Sequence, residues 1–144
     1  MFTYTYHSYA KINLALEIIG KRPDSYHELN SIFLPITLAD QIHIQQSNKF
    51  EIVIEPKNVK IPLKENIIYK TIKLMQNKYK INIDFIKIKL IKNIPIGAGL
   101  GGGSSNAATI LLALNEIFKL NLTKPELKQL GREIGADVPF FIDP

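Results

Sequence analysis

The chain contains no cysteine. Disulfide staples, thiolate catalysis and cysteine metal sites are excluded together. Its three histidines, His7, His27 and His43, are scattered without metal-ligand spacing, so a transition-metal enzyme is not expected. No segment comes near the roughly 18 uninterrupted apolar residues of a membrane span, and the opening MFTYTYHSYAKINL lacks the basic, apolar, small-residue order of a secretory signal. A cytoplasmic protein with no membrane partner is expected. Arginine is scarce, with sixteen of the eighteen basic residues being lysine. Base readout favours the planar arginine fork, and the lysines are spread along the chain, so the net charge of +5 does not point to nucleic acid. Repeats, low-complexity tracts and linkers are lacking too. With 144 residues, one domain with one core is expected, since domains commonly run ~100 to 200 residues.

What is present suits a folded chain, with 46% apolar and 22% charged residues. Ile12, Leu14, Leu16 and Ile18 alternate with Asn13, Ala15 and Glu17, the period of a strand with one covered face. Further short strands are expected at Thr3 to Tyr9, Ile32 to Ile36, Gln41 to Gln46 and Phe50 to Ile54. From Asn66 the spacing becomes helical through Ile68, Ile72, Met75 and Tyr79, with Asn66 placed to cap the first turn. Phe85 to Lys92 returns to a strand. A helix over about Ser105 to Lys119 follows, then a third opened by a Thr123 and Glu126 capping box and ended by Gly135. A new apolar strand is expected at Phe140 to Pro144, where the stop looks arbitrary. Half-wet strands mixed with helices give an α+β fold with a mixed or antiparallel sheet rather than a doubly wound one.

Five of the eight glycines are packed between Gly97 and Gly103, inside the run PIGAGLGGGSSNAA. Glycine lets backbone N–H groups converge on an anion without a Cβ in the way, and such a run costs chain entropy with no packing return. A phosphate cradle over Pro95, Ile96, Gly97, Ala98, Gly99, Leu100, Gly101, Gly102 and Gly103 follows. Ser104, Ser105 and Asn106 stand where the next helix begins, so its free N–H groups and positive end face the same anion. The serine hydroxyls could cap that helix, or bind a phosphate or its Mg²⁺. A tight turn with two N-capping serines is the plainer alternative.

Gly97, Gly99 and Gly102 satisfy GxGxxG, but the other marks of a dinucleotide fold fail. The preceding strand is amphipathic, and the acid about 20 residues onward, Glu116, lies within a helix. A Walker loop fails because no Lys-Ser or Lys-Thr follows the glycines, and protein-kinase elements are missing.

The glycine run, together with AKINLALEIIGKRPDSYHEL, ENIIYK and GADVPFF, resembles the GHMP kinases. These are small-molecule kinases whose N-terminal domain shares its fold with the second domain of a small-subunit ribosomal protein. The resemblance covers essentially the whole chain, and implies ATP and Mg²⁺ as cofactors. As substrate it implies a small molecule, a cytidine diphosphate-linked methylerythritol, phosphorylated on its 2-hydroxyl; a monomer or homodimer is expected. It places the catalytic lysine on Lys11 and the catalytic aspartate on Asp137. That pairing suits the chemistry, a carboxylate taking the proton of the attacking hydroxyl and an ammonium offsetting charge on the transferring group. Asn13, two residues from Lys11 on the same strand face, matches a substrate position, as does Asp137. Tyr26 and His27 match a cytidine site of stacking ring and imidazole. Asn66 and Lys92 match the adenine pocket, although a helix cap and a solvated strand charge are equally good readings. The resemblance implies a second domain after GADVP, and this chain is expected to be the N-terminal domain without it. Another GHMP kinase, or a catalytically silent nucleotide-binding fragment, are the alternatives.

Overall fold

A computed structural model describes residues 2–21, 23 and 27–144, and the side chains of these except 15–19, 21 and 27–31. The order is β1 (Thr3–Lys21), β2 (His27–Gln46), β3 (Glu51–Glu55), α1 (Ile67–Tyr79), β4 (Ile86–Ile91), α2 (Gly102–Ile117), α3 (Lys124–Ile134) and α4 (Val138–Ile142). The sheet is mixed, in the order β1-β2-β4-β3. β1 with β2 and β2 with β4 are antiparallel, while β3 and β4 are parallel and so require the crossover that α1 supplies. The expected α+β class with a mixed sheet is what the chain adopts.

Alternation decides which face is dry. Ile42 and Ile44 of β2 and Ile86, Ile88 and Leu90 of β4 are buried against Ile68, Ile72 and Met75 of α1 and Ile110, Leu111 and Leu114 of α2. Each such side chain contributes about 1.5–3 kcal/mol on full burial. On the wet face Lys87 pairs with Glu51 and Lys89 with Glu55, both at 3.1 Å. Exposed pairs of that kind contribute at most about 1 kcal/mol, so the sheet–helix core holds the fold.

The helix caps follow the sequence: Asn66 Oδ1 accepts from Ile68 N at 2.9 Å, and Thr123 and Glu126 form the reciprocal box that opens α3. Three expectations need correction. The paired short strands expected over 3–18 and 32–46 are two long continuous strands. Local irregularities in register, between Tyr9 and Lys11 among others, let them bend without breaking. Helix α2 begins at Gly102 rather than Ser105, because the glycines complete its first turn against Ile94, whose Cγ2 stands only 2.9 Å from where a Gly102 Cβ would lie. The tail is helical over Val138–Ile142, not a strand; Pro139 in its first turn has the fixed φ a helix start accepts.

Candidate active site

The phosphate loop joins β4 to α2. Gly97, Gly99 and Gly101 take φ of 72°, 73° and 70°, a left-handed conformation at every second residue that side-chain-bearing residues avoid. At Gly97 and Gly99 there is open space beside the backbone, whereas at Gly101 a Cβ would stand 2.8 Å from Phe141 Cζ and 3.0 Å from Lys11 Cγ. Gly101 is the N-cap of α2 and offers no side-chain cap, and the first turn carries no acid. With Ser105 N bonded to Gly101 O at 2.9 Å, the N–H groups of Gly102, Gly103 and Ser104 are left for a ligand, at the positive end of a sixteen-residue helix.

A cavity of about 370 Å³ opens beside this turn, lined by residues 95–104 together with Asn66, Lys92 and Asn106. Of the residues assigned to the nucleotide from the sequence, all but Ser105 border this one cavity. Ser105 is buried and its hydroxyl accepts from Ser8 Oγ at 2.8 Å, and it lines a separate cavity of about 190 Å³ with Tyr6, Tyr9 and Phe141. There, burial first and the Glu116 carboxylate second push the Tyr6 phenol up, and its O–H donates to Glu116 Oε2 at 3.1 Å. Asn66 lines the cavity while its Oδ1 caps α1.

Lys11 is brought to the loop by an irregular stretch of sheet. Tyr9 faces Ala39 and Lys11 faces Pro35, so three residues of β2 stand opposite Ala10 alone. The irregularity breaks the alternation of β1: Ser8, Ala10 and Lys11 are all buried. It also frees the Lys11 N–H to donate to Leu100 O at 2.9 Å, tying the strand to the loop. The Lys11 ammonium, 5% exposed, donates to Asn13 Oδ1 at 2.7 Å and lies 4.4 Å from the Phe33 ring centroid. Asp137 Oδ2 is 3.8 Å away, inside ion-pair range and beyond a hydrogen bond. An ammonium has three donors, so among the described residues this one keeps capacity for a further oxygen. Asp137 is 39% exposed and makes no side-chain capping bond to α4, so its carboxylate is not consumed by the helix it precedes. Tyr26 lies outside the described residues, and so does the His27 side chain.

Two contributors were missed. Phe33 is the apolar partner of the Lys11 charge. Asp40, wholly buried, accepts from Lys92 Nζ at 2.8 Å, Asn93 N at 2.7 Å, Ile94 N at 2.8 Å and Asn106 Nδ2 at 3.0 Å. Its signal was legible, because Asp40 shares the phase of Ile42 and Ile44 and alternation alone places it inside. Lys92, expected as a pocket residue or a solvated charge, lines the cavity but is not solvated, being 8% exposed and paired with this carboxylate.

Residues 66–143 match the family described as GHMP kinases N terminal domain, and the chain belongs to that family. It is 47% identical over 138 residues to a 4-diphosphocytidyl-2-C-methyl-D-erythritol kinase of Francisella tularensis subsp. tularensis (strain SCHU S4 / Schu 4), covering 95% of this chain and 50% of that one. A protein of the same name from Clostridioides difficile (strain 630) is 45% identical over 136 residues, covering 94% and 46%. The chain spans about half the length of the curated relatives it matches. The crystal structure of a 4-(cytidine 5'-diphospho)-2C-methyl-D-erythritol kinase superposes with a TM-score of 0.80 at 37% identity, over 96% of this chain and 48% of that one. The Methanococcus jannaschii mevalonate kinase, at 19% identity over 96% and 47%, shares the fold with a TM-score of 0.71. Among the described residues no helix is long and apolar enough to cross a membrane.

Proposed function

We propose that this chain is the nucleotide-binding half of an ATP-dependent kinase that phosphorylates the 2-hydroxyl of 4-diphosphocytidyl-2-C-methyl-D-erythritol, a step toward isoprenoids. The observation that carries the reading is the meeting of Lys11, Asn13 and Asp137 at the rim of the phosphate loop, with Lys11 N bonded to Leu100 O. The names of the relatives support the choice of alcohol.

In this reading the loop and the free N–H groups of α2 hold the nucleotide phosphates in the cavity. The Asp137 carboxylate takes the proton of the attacking hydroxyl, while Lys11 orients that oxygen and offsets charge on the transferring phosphoryl group. Transfer is direct, with no covalent enzyme intermediate. Mg²⁺ comes with the nucleotide and neutralises its phosphates when bound. The described residues hold no cluster of three acidic or histidine side chains, and Mg²⁺ held mainly by the nucleotide phosphates would find the Ser104 hydroxyl in the cavity lining as a protein oxygen. Asn66 and Lys92 border the nucleotide, and Asn13, Tyr26 and His27 are assigned to the cytidine-linked alcohol. A cytoplasmic location and a monomer or homodimer go with this reading.

The test is calorimetric titration of the chain with MgATP, followed by a phosphoryl-transfer assay on the cytidine-linked alcohol. Binding with transfer is the expected result. Binding without transfer on this chain, or on a chain of the relatives' length, leaves a silent nucleotide-binding module. Transfer to a different alcohol leaves another GHMP kinase, and no binding at all removes the nucleotide from the loop.

A further inference from the structure

The mechanism above makes no use of Asp40, yet this is the most heavily bonded side chain near the site. A carboxylate in β2 can only accept, and it has about four lone-pair sites. All four are engaged. Oδ1 takes the N–H groups of Asn93 and Ile94, while Oδ2 takes the Lys92 ammonium and the Asn106 amide. Lys92, Asn93 and Ile94 are the residues that enter the phosphate loop, and Asn106 lies in the second turn of the helix that leaves it. One buried group therefore spans both ends of the loop. Ile94, held by Asp40, in turn abuts Gly102, and Lys92 closes the corner by also donating to Ile94 O. Because the carboxylate offers no donor, it fixes the Asn106 amide with its NH₂ inward, leaving Asn106 Oδ1 buried and unpartnered beside the cavity.

We propose that Asp40 is a positioning residue that sets the shape of the phosphate loop by clamping its two ends, and so controls nucleotide affinity without touching the nucleotide. The affinity part rests on the reading of the loop as a phosphate cradle; the shape part does not. Removing a charge-bearing acceptor from four donors loosens the loop more than the sheet, since those donors belong to the loop's entry and exit and the other strands keep their own ladders.

The test compares Asp40→Asn with Leu130→Ala, a core truncation in α3 that serves as a purely structural control, in the 144-residue chain. Amide hydrogen exchange is measured first, without nucleotide. Asp40→Asn is expected to speed exchange at Asn93, Ile94 and Ser105 selectively, whereas Leu130→Ala lowers Tm without that pattern. Titration with MgATP under conditions where both variants are folded is then expected to give a Kd raised about 10- to 100-fold for Asp40→Asn, the range seen when outer partners of metal-holding groups are removed, and within about twofold of wild type for the control. Should Asp40→Asn not fold, Asp40→Glu carries the same comparison, keeping the charge while displacing the oxygens by one methylene. Unchanged loop exchange, or loop exchange that merely tracks Tm in both variants, overturns the proposal. Selective loop loosening with an unchanged MgATP Kd overturns its affinity part. A wild-type chain that does not bind MgATP defeats the nucleotide reading instead, and the exchange comparison still decides the clamp.

Discussion

The two flanks of the phosphate loop are held in opposite ways. On the Asp40 side every lone pair of a buried carboxylate has a donor, and its lysine partner is tied twice. On the Lys11 side a buried ammonium has, among the described residues, one hydrogen bond, to an exposed asparagine, and a carboxylate that stops at 3.8 Å. Both contain a lysine and an aspartate. Under the readings proposed above, saturation suits the first pair to fixed support, while incomplete pairing suits the second to a reacting hydroxyl and a phosphoryl group.

The largest effect that separates the flanks belongs to chemistry. In a chain of the relatives' length, Asp137→Asn is expected to bind both substrates and lose about 10²- to 10⁴-fold in kcat, the usual contribution of a positioned general base. Lys11→Met acts chiefly on kcat as well, and the double variant loses less than the sum if the two work as a unit. Near-normal turnover of Asp137→Asn returns that carboxylate to a solvated turn and erases the contrast.

Next in size is the glycine that touches the Lys11 flank. Gly101→Ala adds steric conflict with Phe141 and Lys11 to left-handed strain of about 1–2 kcal/mol; Gly99→Ala carries the strain alone, because its surroundings are open. Thermal unfolding with MgATP titration should rank Gly101→Ala well below Gly99→Ala in both Tm and affinity. Equal losses would mean that the close approach of Phe141 is relieved at no cost.

A smaller effect tests Ser105. Its hydroxyl bonds Ser8 away from the nucleotide cavity, so Ser105→Ala should cost about 1 kcal/mol of stability while MgATP affinity stays within about twofold. A tenfold affinity loss would move Ser105 to the ligand side, where the motif had placed it.

The motif could group Ser104 with Ser105 because adjacent letters share a consensus. It could not show that on a helix they project about 100° apart, one lining the larger cavity and one turned to Ser8. The start of α2 was misread for a related reason: glycine is a poor helix former, and only the tight fit of Gly102 under Ile94 makes it the right residue there. Local chemistry was readable where it was self-contained, as in the caps at Asn66 and Thr123 and the alternation of β4. Lys11 and Asp137 were legible only through motif resemblance, since 126 residues separate them in the sequence. Their approach depends on an irregular sheet no periodicity announces.

The smallest effect concerns the remote helix α3. Hydrogen bonds from the Thr123 hydroxyl and then its backbone N–H hold the Glu126 carboxyl below its ordinary range. The stabilisation is present above the ordinary glutamate pKa and is lost as pH falls through the lowered value. Thr123→Ala should therefore lower Tm at neutral pH, and its Tm gap from wild type should narrow on acidification. The gap should leave MgATP affinity unmoved at any pH where the chain is folded, since this cap lies on neither flank.

The three residues of β2 that stand opposite Ala10 carry a consequence for how such a chain tolerates change. Ile36, Thr37 and Leu38 are half-buried or exposed, so their identities are free to drift. Their number is not, because side chains alternate and one residue more or fewer would shift the pairing that sends Lys11 inward beside Ala10. In this segment a substitution is a change of spelling, while an insertion or deletion is a change of meaning.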